Sequence, residues 1–164
     1  MTTLILPIIA VFTLCLYLAY TIGTFGVPKS LSDTFNLLGG WKGKGWMFWA
    51  LCLGLIFLLV PAFLDATREN LQPLAFFAVA PLAIVGVAAE FENKMTEKVH
   101  YTAAVACFIL SQLWVIFEPG YWWLSLGCLA SAVIISLIWG NKLFWIEMGG
   151  IAAAIAALII KSIV

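Results

Sequence analysis

The chain has 164 residues, of which 65% are hydrophobic and 10% charged, and its eight basic residues are balanced by eight acidic ones. So little polar surface cannot cover a soluble globule, and the apolar residues arrive in continuous blocks on the scale of a bilayer. The zero net charge supplies no field that would draw nucleic acid, so no nucleic-acid partner is expected.

Six spans can be drawn at the ~1.5 Å per residue of a helix, the third only just long enough for a ~30 Å hydrocarbon core. They run over Leu4–Thr24, Trp46–Leu64, Leu74–Ala89, Val99–Phe117, Tyr121–Trp139 and Leu143–Ile163. The blocks are apolar without alternation, which favours helices over barrel strands. The fold class read from this pattern is all-α: a polytopic membrane helix bundle, residues 1–164 forming a single transmembrane domain. The start, Met1-Thr2-Thr3 and then apolar residues, has no basic segment and no cleavage motif, so a retained first span is expected rather than a signal peptide.

The first loop, Val27 to Gly45, is the longest. Ser30-Leu31-Ser32-Asp33 has the spacing of a capping box, with Asp33 in the place usually held by Glu. Leu31, Phe35 and Leu38 then recur at i, i+4, i+7, and Gly39-Gly40 ends the pattern. These features predict a short helix over residues 30–38, lying along the cytoplasmic interface. Pro61 and Pro81 fall inside spans two and three and are expected to bend them.

The tryptophans give an independent check on the boundaries. Trp41, Trp46, Trp49, Trp114, Trp122, Trp123, Trp139 and Trp145 all fall near proposed span ends, where such rings favour the headgroup level. Sidedness follows from the basic residues. Lys29, Lys42, Lys44, Lys94, Lys98 and Lys142 gather on one side, and only Arg68 and Lys161 on the other. The lysine-rich side is predicted to be cytoplasmic, with both termini on the non-cytoplasmic side.

The densest charge in the chain is Glu90 to Tyr101, which also holds the sole histidine, His100. His100 heads a stripe of small, mildly polar residues, Ala104, Cys107 and Ser111. Glu97 and His100 have a Glu-x-x-His spacing found among metal ligands, but one such pair is equally ordinary helix-start chemistry, so no metal or other cofactor is expected. A buried, hydrogen-bonded histidine is the plain alternative to a catalytic or proton-sensing one. Glu147 is the most expensive residue, a carboxylate at ~2.5 kcal/mol or more if deep in a span and less near an interface. It shares a face with Gly150, Ala154 and Ala157, and reads as a shallow interfacial group, a ligand or proton group, or a packing residue. Gln112, midway along span four, reads as an interhelical hydrogen bonder. Asp65, Arg68 and Glu69 read as a solvated loop. The cysteines Cys15, Cys52, Cys107 and Cys128 lie inside apolar blocks without CxxC spacing and read as packing residues.

Ser32, Asp33, Glu90, His100 and Glu147 fall near one membrane face although they come from four separate segments, and they form the candidate ligand-binding set. The expectation is that His100 faces the bundle interior within hydrogen-bonding reach, directly or through water, of Glu147 or Glu90. The leading functional reading is a membrane protein whose cytoplasmic-side cluster binds or modifies a lipid headgroup, membrane lipid being its partner. The alternatives are a small-solute transporter or channel, and a structural or regulatory subunit without catalysis. The small-residue pairs Gly127/Ser131 and Gly150/Ala154 would allow a homo-oligomer. Catalytic residues and enzyme status are not assigned, because no nucleophile elbow, phosphate loop or CxxC is present.

Ser30, Ser32, Asp33, Glu90, Glu97 and His100 together form a pattern across roughly residues 27–105. It resembles the Frag/DRAM/Sfk-type six-span membrane family and similar bacterial families of unknown function. The resemblance implies a six-span bundle and, for some members, lipid handling or membrane trafficking. The eukaryotic relatives are usually drawn with termini inside, opposite to the orientation that the lysines of this chain predict.

Overall fold

The computed structural model describes residues 2–89 and 94–163. Among these residues the protein is all-helical, with six helices long and apolar enough to cross a membrane. Helix α1 covers Thr2–Phe25, and a one-turn helix α2 covers Asp33–Leu37. Helix α3 follows at Trp46–Asp65, then α4 at Gln72–Val79 and α5 at Leu82–Val87. Helices α6 (Lys94–Phe117), α7 (Trp122–Trp139) and α8 (Lys142–Ile163) complete the order.

Two boundaries differ from the sequence reading. The third span is two helices, because Pro81 has no N–H to continue the ladder and the chain restarts at Leu82. Pro61, by contrast, stays inside one continuous α3. The fourth span is already helical at Lys94 rather than starting at Val99, so Lys94, Glu97 and Lys98 belong to α6.

The long helices form a closed ring. Helix α1 packs on α3, α3 on α4 and α5, these on α6, α6 on α8, and α8 back on α1. Helix α7 lies outside the ring, chiefly against α8. The ring buries Leu14, Tyr17, Leu51, Leu55, Phe63, Val115 and Leu158, while Phe12, Phe57, Leu126, Leu137 and Ile138 face outward and exposed. This inside-out pattern suits a hydrocarbon surround rather than water. Of the tryptophans, Trp114 departs from the expected belt. It is fully buried, its ring centroid 4.4 Å from that of Phe63, and its Nε1–H donates to Thr67 Oγ1 at 2.7 Å.

The first loop also departs from the prediction. Its helix is shorter than residues 30–38, and its apolar stripe faces the protein: Phe35 and Leu38 are buried and Leu31 half-buried. Tyr17 Oη and Thr34 Oγ1 meet at 2.5 Å, both residues buried. The loop is further tied to the start of α8, where Phe144 N–H donates to Lys29 O (3.1 Å) and Asn141 Nδ2 to Val27 O (2.9 Å). The physical reason is simple. An i, i+4, i+7 stripe states that one face is apolar, but not whether lipid or protein covers it. Gly39, at φ 85°, then stops α2 in the left-handed conformation that costs glycine least.

Candidate functional site

The ring leaves a cavity of about 140 Å³ among α3, α4/α5, α6 and α8. That is an order of magnitude more than one water needs. Leu31 and Ser32 of the first loop close one end of it. Most of its wall is aliphatic or aromatic, from Phe48, Leu55 and Leu59 on α3 to Val79 and Leu82 opposite and Ile151 and Ile155 on α8.

Three of the five candidate residues line this cavity: Ser32, His100 and Glu147. His100 is buried in the second turn of α6, and its Nδ1 lies 3.1 Å from Val85 O. Val85 sits in the last turn of α5, where carbonyls have no partner within their own helix. A carbonyl can only accept, so Nδ1 carries a proton and donates to Val85 O. Glu147, one and a half turns into α8, accepts the backbone N–H of Leu31 on Oε2 at 2.6 Å. His100 and Glu147 each hold a backbone group, and both line the same cavity.

Ser32 is buried with its Oγ 3.1 Å from Ser30 Oγ. Asp33 is turned to the local backbone. Its N–H donates to Ser30 Oγ (3.1 Å), as a capping box requires, while its Oδ2 accepts from Lys29 N–H (3.4 Å) rather than from Ser30. Glu90 lies outside the described residues, as does its expected pairing with His100.

The small-residue stripe that His100 heads borders open space. Ala104, Cys107 and Ser111 all line the cavity, with Cys52 across from them on α3. On the facing stripe, Gly150 and Ala154 line it too, and Ala157 is fully buried. Gly150 has a second role. A Cβ there would meet Phe108 Cε2 at 2.4 Å, so any other residue would require the Phe108 ring on α6 to move. The Gly150/Ala154 pair is thus used within the chain, whereas Gly127 and Ser131 stay on the exposed face of α7. Among the described residues, no three His, Cys, Asp or Glu side chains gather to hold a metal.

Beyond the cavity, Gln112 ties three helices together. Its Nε2 donates to Gly150 O (3.1 Å), and its Oε1 accepts from Ser125 Oγ (2.6 Å). At the opposite end of the bundle is a polar cluster that the sequence reading missed. The Glu118 side chain is fully buried between Lys161 Nζ (2.5 Å) and Arg68 Nε (3.0 Å), and Arg68 N–H adds a third bond at 3.3 Å. Burial alone would raise the Glu118 carboxyl, but Lys161 and Arg68 outweigh it and hold the group below the ordinary carboxylate value. Arg68 had read as part of a solvated loop. The available signal was Lys161, a lone cation inside an apolar span at the same depth as Glu118.

Compared with known protein families, curated proteins and solved structures, the chain matches none. The likeness of residues 27–105 to the six-span family named above rests on the residues that carry it.

Proposed function

We propose that the protein is a multi-pass membrane protein that holds a membrane lipid in the ring cavity, with the headgroup against Ser32, His100 and Glu147. One observation carries this reading: the cavity is polar at one end and apolar along its length. From Phe48 to Phe63 its α3 wall spans about 20 Å at ~1.5 Å per residue, which with a volume of about 140 Å³ makes a long, narrow slot. Such a slot suits one hydrocarbon chain rather than a packed pair. The lysine count supports placing its polar end on the cytoplasmic side. A solute pathway has less support, because Gln112, Ser111 and Ser125 at mid-bundle bond to one another and to the backbone.

The test is lipid retention. Purified protein should carry lipid visible by native mass spectrometry, and Ala104→Leu or Ala154→Leu, which fill the slot, should lower that occupancy several-fold. Equal occupancy in wild type and both folded variants, or none in wild type, would overturn the proposal.

A further inference from the structure

Resting on that reading, the lining chemistry also selects among lipids. We infer that the occupant is a single-chain amphiphile whose head donates hydrogen bonds and bears no negative charge, of the fatty-alcohol, monoacylglycerol or long-chain-amine class.

Three observations lead here. Among the described residues the lining holds no Lys or Arg, and its one acid is Glu147. A phosphate or carboxylate head would therefore enter a lining without arginine or lysine to meet it, and burying a charge without a partner is strongly unfavourable. The groups that remain favour a donor. Leu31 N–H holds Oε2 of Glu147, and the carboxylate has further lone pairs to offer. Ser32 Oγ adds a hydroxyl that can accept or donate. His100 has Nδ1 committed to Val85 O. Finally, the volume of the slot suits a single hydrocarbon chain.

The experiment compares probes with one shared C18 chain on the full chain in nanodiscs: monoolein, oleyl alcohol, oleylamine, oleate and oleoyl lysophosphatidate. Binding is read by native mass spectrometry and by the shift in unfolding temperature. Monoolein, oleyl alcohol or oleylamine should bind at least about tenfold more tightly than oleate and lysophosphatidate, the scale of one unmet charged partner. The ranking among the first three separates a hydroxyl head from an ammonium head. Glu147→Gln keeps an acceptor for Leu31 and leaves the lining without Lys or Arg, so the donor probes should still bind more tightly than the anionic ones. If lysophosphatidate or oleate binds as tightly as the donors, this inference fails while lipid binding stands. If no probe binds, the proposed function fails with it. Should Glu147→Gln not fold, the wild-type ranking alone decides.

Discussion

The backbone N–H of Leu31 donates to Glu147 Oε2 at 2.6 Å, joining positions 116 residues apart. Together with the Phe144–Lys29 and Asn141–Val27 bonds, it ties the loop that closes the cavity to the helix that carries its carboxylate. Glu147→Leu should leave a part-buried N–H unmet, at a cost of about 1–3 kcal/mol. Glu147→Gln retains an acceptor and should cost less. Limited proteolysis within residues 27–45 checks this: cleavage should quicken in Glu147→Leu and stay near wild type in Glu147→Gln.

His100 should behave differently, because its partner is Val85 O on α5. His100→Ala should destabilise by about 1–3 kcal/mol through the orphaned carbonyl and the lost ring volume. Loop proteolysis should change little, since the Leu31 bond is untouched. Hydrogen exchange should instead rise at the end of α5. A loop that opens as readily as in Glu147→Leu would show that the two residues act as one unit.

The Glu118 cluster makes stability depend on pH. A carboxyl held below its ordinary value when folded contributes stability that is fully present above the unfolded value and lost as pH falls through the folded one. Wild type should therefore lose unfolding temperature below about pH 4.5, and Glu118→Gln should show a smaller acid step from a lower starting point. Arg68 is largely exposed, so the neutral-pH loss should stay near about 1–3 kcal/mol rather than the larger cost of a stranded buried ion.

Gly150→Ala should force Phe108 out of place and disturb the Gln112 bond to the Gly150 carbonyl. Overpacking of this kind costs about 1–3 kcal/mol. Gln112→Leu should cost about 0.5–2 kcal/mol, the range for interhelical hydrogen bonds in bilayers. Thermal unfolding in one detergent would rank the two.

Orientation is tested by cysteine labelling at Lys42 and Lys98, both exposed and at the same end of the bundle. Protection in intact cells and labelling after permeabilisation is the expected result. Labelling of intact cells at either position would reverse the assignment.

Helix number was legible because hydrocarbon thickness dictates a block length, and six blocks have it. The polar end of the cavity was legible in part, since Ser32, His100 and Glu147 share a depth that residue counting from span ends can recover. Asp33 shares that depth and yet turns to Lys29, because depth carries no information about azimuth around the ring. The Tyr17–Thr34 contact and the inward face of α2 were not legible, and of the Glu118 cluster only the shared depth of Lys161 and Glu118 was. Each joins distant segments through packing, and no periodicity encodes which helix will be the neighbour.

The ring closes where α8 meets α1, and that ordering has a consequence for biogenesis. During synthesis α1 and the loop after it emerge early, yet the groups that hold the loop, Asn141, Phe144 and Glu147, are added more than a hundred residues later. Until α8 inserts, the N–H of Leu31 and the carbonyls of Val27 and Lys29 lack the partners they will have in the finished bundle. A nascent chain stalled before α8 would thus present an undocked loop and an unfilled gap between α1 and α6, a form that membrane quality control could distinguish from the completed protein.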